Sequence, residues 1–421
     1  MWLIFGGLLI IAVGVFLFTS PAYVVSLGEK ITTIVPATEE VVGPEKIYEN
    51  GDIGPQKSLA NPPETLKVVY ATAWSAGSTR KFDYFEELFA KTEANAILID
   101  VKDYTGVVSY RPDVPAVIEY DAWEERIPQI NTLIKKFHDR GIYVIGRVAV
   151  FEDDKLARAR PEWALHSSST GELWTTNKDI AWMDTAARGV WDYNIAIAQD
   201  MINRGFDEVN FDYIRFPSDG KLSDIRYPVW DEVTYKRVIL SDFFKYVREQ
   251  MGTAKISADL FGEVTYASLS GVGQKLEDAF LYFDYIAPMV YPSHYAKGFI
   301  GYQNPANFPY EVVQYSMQTA LDRLEKFVTR EETFVGTDGV TSTRVVVDQD
   351  LVSKVAKFRP WFQDFDLGAD YTASMIRKQV QAYDEIQFSG NSGLNAADFK
   401  NGWMMWAPSN VYTVGAFLPK E

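Results

Sequence analysis

From about residue 66 onward, short apolar runs alternate with stretches in which apolar residues recur every three or four positions. The runs Val68–Trp74, Ala96–Val101, Tyr143–Phe151 and Glu208–Phe211 have the length and boundaries of strands. So do Ile256–Phe261, Tyr285–Val290, Phe358–Phe365 and Trp403–Pro408. Between them, Thr79–Lys91 sets Phe82, Phe85 and Phe89 on one helical face, and Trp191, Ile195, Ala198 and Ile202 make another stripe ending at Gly205. Asp121 followed by Glu124 reads as a capping box, ahead of Ile127, Ile130, Ile134 and Phe137 at helical spacing. Val233–Gln250, Tyr310–Phe327 and Tyr371–Ile386 are further helices by the same criterion, and Val328–Asp350 shows no sustained period. Strand–helix alternation of this kind implies a parallel sheet with helices outside, and closed on itself it is a (β/α)8 TIM barrel. An open doubly wound sheet also alternates, but SAGSTRKF after the first strand lacks the glycine spacing of a phosphate loop. The long connections after strands three and six, 152–188 and 292–307, suit the substrate face of a barrel.

The N-terminus follows another pattern. Trp2–Phe18 is apolar and uncharged, and Thr19, Ser20 and Pro21 interrupt it before a second apolar stretch, Ala22–Leu27. No Lys or Arg precedes the run, and its length just spans a bilayer. Residues 1–27 are therefore expected to be a signal-anchor that holds the remainder outside the cytoplasm at the cell membrane, with a cleaved signal peptide and a secreted protein as the alternative. Residues 28–64, rich in proline, glycine and acids, are expected to be a flexible linker, and 65–421 the barrel.

Net charge is −16, which argues against nucleic acid or anionic lipid as the main partner. With no cysteine, disulfides and thiolate chemistry are excluded. The histidines, His138, His166 and His294, are not at metal-ligand spacing, so no metal or other cofactor is expected. Aromatic residues make up 14% of the chain, which suits a protein that stacks sugar rings, although a large aromatic core needs them equally.

In a barrel, working groups sit at the C-terminal strand ends, and polar residues gather there. The first strand ends in Trp74, and the second carries Asp100 and Lys102, which strict alternation would put on one side. The third carries Arg147 and then Glu152, Asp153 and Asp154; the fourth, within GFDEVNFDYIRFP, delivers Asn210, Asp212 and Arg215. The fifth has Asp259 with Glu263 just beyond, and the sixth ends in Tyr291, His294 and Tyr295. The seventh offers Gln363 and Asp364, and the eighth Trp403, Trp406 and Ser409. Charges inside apolar strands are costly unless paired or used. Two carboxyl groups flanking a glycosidic bond suffice for its hydrolysis. Asp212 is the candidate nucleophile or base, with Arg215 as the cation that keeps it charged, and Asp259 or Glu263 is the candidate acid. Asp100, Lys102, Arg147, Asn210, Arg215, His294 and Asp364 are candidate sugar-binding groups, and Trp74, Tyr291 and Trp403 candidate stacking platforms. The expected partner is a polysaccharide or oligosaccharide; the alternative is a non-catalytic carbohydrate-binding barrel of the cell envelope.

FDEVNFDYIRFP, preceded by AWMDTAARGVWDYNIAIAQDMINRGF, resembles a bacterial glycoside-hydrolase-like family, a domain of unknown function distantly similar to the alpha-amylase type glycosidases. ILIDVKDYTGVVSY, YVIGRVAVFEDDKLARARPEWAL, ISADLFG, IAPMVYPSHY and FRPWFQDF follow its pattern in the same order, over about Val68–Pro408. Thr185 stands where the family often has proline. The resemblance implies a (β/α)8 barrel with a strand-four nucleophile, which falls on Asp212. The alpha-amylase type has a strand-five glutamate as acid; here Asp259 holds the strand position and Glu263 follows it.

Overall fold

Eight strands pair in parallel and close into a ring in this computed structural model, which describes residues 51–420 apart from 336, 338 and 339. They are β1 (Leu66–Ala71), β2 (Ala96–Lys102), β3 (Tyr143–Ala149) and β4 (Glu208–Asp212), then β5 (Lys255–Phe261), β6 (Tyr285–Met289), β7 and β8 (Gly402–Trp406). β7 is in two pieces, Lys357–Phe358 and Trp361–Gln363. Each strand pairs with its neighbours in chain order, and β8 pairs with β1 through Leu66↔Gly402 to Val69↔Met405. The expected (β/α)8 barrel is the fold.

Period-2 alternation sorts the strand residues. Leu66, Val68, Leu98, Ile145, Ala287 and Met404 belong to one apolar cluster inside the ring. Their neighbours Val69, Ile97, Val144 and Met405 pack outward under the helices. The helix Thr79–Lys91 buries Phe82, Phe85, Leu88 and Phe89, the face its spacing predicts. Each such side chain contributes about 1.5–3 kcal/mol on burial. The floor of the barrel is polar: Arg359 pairs with Glu208 at 2.9 Å, both fully buried, and donates to Asn401 Oδ1 at 2.8 Å. The helix that carries the Trp191–Ile202 stripe runs Arg188–Arg204 and stops at Gly205, whose φ of 104° favours glycine.

Two local expectations change. No helix starts at the Asp121–Glu124 pair; the helix there is Ile130–His138. Its first amides are satisfied from far away, by Asp52, whose carboxylate accepts from Asn131 N and Thr132 N at 2.9 Å each. Residues 51–64, expected as the end of the linker, have no helix or strand but are tied to the barrel. Gln56 N donates to Arg204 O at 3.0 Å and Leu59 N to Asp207 Oδ1 at 2.6 Å. Residues 328–350, unassigned by periodicity, contain an exposed hairpin of Thr329–Val335 and Thr341–Val347. The expected anchor or signal segment, 1–27, lies outside the described residues, as does the start of the linker. Among the described residues no helix is long and apolar enough to cross a membrane.

Candidate active site

The C-terminal strand ends enclose a cavity of about 180 Å³. Its centre is Arg147, on the inward parity of β3 set by Tyr143 and Ile145. The guanidinium reaches both neighbouring strands. Nε and Nη2 donate to Asp212 Oδ2 on β4, at 3.1 and 2.5 Å. Nη1 donates to Asp100 Oδ1 on β2 at 2.6 Å. Asp100 also accepts from the Tyr70 hydroxyl, and Asp212 Oδ1 accepts from Tyr213 N at 2.5 Å. A planar guanidinium held by carboxylates on two sides is fixed in orientation, which a lysine could not be.

Asp259 on β5 completes the group. Its Oδ1 accepts from Asn210 Nδ2 at 2.9 Å and from Trp361 Nε1 at 2.8 Å. Its Oδ2 is 3.8 Å from Arg147 Nε, the atom that also bonds Asp212 Oδ2 at 3.1 Å. The two carboxyl oxygens are thus separated by no more than the sum of those distances, 6.9 Å. Burial, and then the charge of Asp212, push the Asp259 carboxyl well above its ordinary range, with Arg147 only partly opposing them. Burial also raises Asp100, against the pull of Arg147. The site therefore pairs Asp212, held by the guanidinium of Arg147, with Asp259 on the adjacent strand, whose carboxyl is pushed toward its protonated form. Asp100, Asp212 and Asp259 thus share one cation, Arg147.

Aromatic rings wall the cavity. Tyr70, Tyr291, Trp361 and Trp406 line it with Met289, and Tyr104 and Tyr213 stand at one side. The Tyr291 and Trp406 centroids are 5.1 Å apart, and His294 lies behind them, 5.2 Å from Tyr291. Tyr213 has a φ of 52°, a left-handed conformation uncommon for a residue of its bulk. Strain of this kind concentrates at functional sites.

The sequence-derived candidates divide. Asp100, Arg147, Asp212, Asp259 and Tyr291 line the cavity, and Asn210 holds Asp259 from below. Arg215 is not the cation on Asp212; that is Arg147, one strand away. Lys102 is turned out of the barrel, fully buried on Asp153 at 2.7 Å. The reason is a register shift between Asp100 and Lys102, a bulge that breaks the alternation placing both on one side. Trp74 is on a short helix, Ala73–Ala76, 64% exposed with Arg126 over its ring, and is not among the lining residues. Trp403 faces outward and packs on Phe417, whereas Trp406, of opposite parity, lines the cavity. Asp364 accepts from Thr413 N and Oγ1 at 2.9 and 2.8 Å and secures the C-terminal loop. Glu263 sits in a short turn, Gly262–Thr265, its half-buried carboxyl raised by burial, outside the lining residues. Tyr70, Tyr104, Tyr213, Met289 and Trp361 were not anticipated. Inward parity, shared with Val68 for Tyr70 and with Arg359 for Trp361, was the available signal.

A closed parallel barrel with paired carboxyl groups at its C-terminal mouth is thus the class of protein that fold and site define. Residues 68–412 match the model of a family described as a putative glycosyl hydrolase domain, and the chain belongs to that family. It is similar to a hypothetical protein from Ruminiclostridium thermocellum ATCC 27405, at 36% identity and a TM-score of 0.42, over 45% of this chain and 96% of that one. It is also similar to an alpha-galactosidase from Thermus thermophilus, at 13% identity and a TM-score of 0.44, over 86% of this chain and 61% of that one. An exo-beta-N-acetylglucosaminidase from Vibrio harveyi is similar at 9% identity and a TM-score of 0.47, over 83% of this chain and 51% of that one. This chain thus spans under two thirds of either glycosidase. No curated protein matches it.

Proposed function

We propose that this protein is a glycoside hydrolase that cleaves a polysaccharide or oligosaccharide with retention of anomeric configuration, Asp212 acting as nucleophile and Asp259 as acid and base. One observation carries the reading: the carboxyl groups of Asp212 and Asp259 face one cavity from adjacent strands, with their Oδ2 atoms at most 6.9 Å apart. Retaining pairs stand about 5–5.5 Å apart and inverting pairs about 6.5–9.5 Å, so the bound favours retention. In the first step an Asp212 oxygen bonds to the anomeric carbon while the glycosidic C–O bond breaks and its oxygen takes the Asp259 proton. In the second, ionised Asp259 takes a proton from water, whose oxygen displaces Asp212. The oxocarbenium-like transition state between them is stabilised by the Asp212 oxygen that approaches it. Tyr291, Trp406 and Trp361 are the stacking platforms in this reading, and Asp100 binds a sugar hydroxyl.

The apolar segment 2–18, long enough to span a bilayer and followed by a flank poor in basic residues, supports action outside the cytoplasm with the chain held at the membrane. The test incubates residues 51–421 with a polysaccharide panel, beside Asp212→Asn. Reducing ends released by the parent, and reduced by about 10³-fold or more in the variant, are expected, with the product first appearing in the substrate's anomeric form by NMR. Glycan binding without release by either protein would replace this reading by that of a carbohydrate-binding barrel.

A further inference from the structure

Arg215 has left the mechanism described above, and its surroundings call for another role. The arginines buried elsewhere in the barrel hold carboxylates: Arg147 binds Asp100 and Asp212, Arg204 binds Asp200, and Arg359 binds Glu208. Arg215, only partly exposed, has no carboxylate within 4 Å among the described residues. One hydrogen bond, Nη1 to Phe216 O at 3.2 Å, uses one of its five donors. Its guanidinium carbon stacks instead on rings, 4.8 Å from Trp182, 4.7 Å from Phe261 and 5.4 Å from Tyr213. Glu152, Asp212 and Asp219 act on this half-buried cation only from beyond ion-pair distance, which leaves its remaining N–H groups able to take an anion.

The place of this cation is defined by Tyr213. The Arg147 guanidinium carbon is 5.9 Å from the same ring, so Tyr213 separates Arg215 from the reaction cavity that it lines. Beside Arg215, Glu152 is buried and makes no hydrogen bond through its carboxyl among the described residues. Burial lifts that carboxyl to about 7, against the pull of Arg215 and Lys178, while Asp219 and Asp212 push the same way as burial. Near neutral pH Glu152 can therefore hold a proton and donate it to a neighbouring anion. Lys178 lies 5.9 Å from the ring of Tyr104, which also lines the cavity.

We propose that Arg215, with Glu152 and Lys178, forms an anion-recognising subsite next to the reaction cavity, and that the glycan cleaved carries a carboxylate or phosphate on the sugar beside the scissile bond. Arg215 binds the anion through paired N–H donors, Glu152 gives it a further hydrogen bond, and Lys178 adds charge at the rim. The inference rests on the glycosidase reading, but its test does not need turnover. Binding to the Asp212→Asn protein is measured by calorimetry for uronate-containing oligosaccharides of gluco and galacto configuration, for their carboxyl-reduced counterparts, and for a phosphorylated oligosaccharide. At least one acidic ligand is expected to bind tenfold or more tighter than its uncharged counterpart, less so at high salt. Preference for the uronate or for the phosphorylated ligand identifies which anion is read. In Asp212→Asn/Arg215→Met the preference falls below twofold while the melting temperature stays within about 2 °C, because methionine's flexible apolar chain packs against the same rings; Arg215→Lys keeps part of it. Equal binding of acidic and reduced ligands, or a preference that survives Arg215→Met, overturns the proposal. Should the parent release no reducing ends from any substrate while the Arg215-dependent preference holds, the hydrolase reading falls and the subsite stands.

Discussion

Arg147→Met tests the reasoning about the site most directly, because its effect has an unusual dependence on pH. The side chain is largely buried and makes three hydrogen bonds to carboxylates, two to Asp212 and one to Asp100. Methionine fills much of the volume but leaves both carboxylates buried with no cation, beside the already protonated Asp259. Removing one partner of a buried pair costs about 3–5 kcal/mol. An unfolding entropy of about 2.1 cal/mol/K per residue gives roughly 0.8 kcal/mol/K for about 370 residues, so the melting temperature at pH 7.5 should fall by about 4–6 °C. Burial already raises Asp100 in the parent against the pull of Arg147, and without that cation burial and mutual repulsion push both Asp100 and Asp212 upward. The folded state then binds more protons than the unfolded one, so stability is lost as pH rises and regained as it falls. The deficit relative to the parent should therefore be smaller at pH 5 than at pH 7.5, because more of the folded carboxyl groups carry protons there. Differential scanning calorimetry of both proteins at pH 5 and 7.5 measures it. A deficit that grows on acidification, or no deficit at pH 7.5, would refute the placement of Arg147 as sole cation for two buried carboxylates.

Asp259→Asn should separate activity from stability. The raised folded value of Asp259 means that its ionisation penalises the fold as pH rises above about 3.9, and asparagine removes that penalty. The variant is expected to melt no lower than the parent at pH 7.5 and to lose about 10²–10⁴-fold in kcat on an unactivated glycoside; unchanged kcat would exclude Asp259 as the acid. In the parent, kcat/KM should fall on the alkaline side as Asp259 loses its proton, and that limb should be absent from Asp259→Asn. Arg359→Met strands Glu208 in the barrel floor and should cost about 3–5 kcal/mol by denaturant titration, with activity per folded molecule retained. Asp52→Ala removes the acceptor for the first amides of Ile130–His138 and should cost about 1 kcal/mol, seen as faster hydrogen exchange at Asn131 and Thr132.

The parts of this protein that could be read from its sequence are those governed by local periodicity. Each predicted strand overlaps an observed one, because burial on both faces writes a continuous apolar run whatever the partners are. Gly205 ends its helix where the apolar stripe ends, a decision taken within a few residues. The misreadings share a different property: each depends on a contact distant in sequence. Asp121 and Glu124 have the spacing of a helix cap, yet the cap is Asp52, supplied by a segment about 80 residues earlier. Lys102 has the right parity to stand beside Asp100 until a bulge, visible only in the ladder with β3, turns it outward.

The exchange of Arg215 for Arg147 follows from the same cause and says most about the site. Within one strand, Arg215 is three positions from Asp212 and the obvious cation for it. In a barrel, however, the residue beside a strand end is its neighbour across the ladder, and β3 pairs with β4 so that Arg147 faces Asn210, one inward position below Asp212. The side chain of arginine covers that rise and meets the carboxylate side-on, with two N–H groups. From β3 it also reaches β2, so one cation orders carboxyl groups on three strands, which a residue following Asp212 on β4 could not do. Tyr213, at a φ of 52°, then leaves the strand direction and carries Arg215 away from the cluster. That divergence frees the second guanidinium for something other than Asp212, and under the proposed hydrolase reading it makes the strained tyrosine the divider between the cavity where a bond is broken and the surface where the rest of the substrate is read.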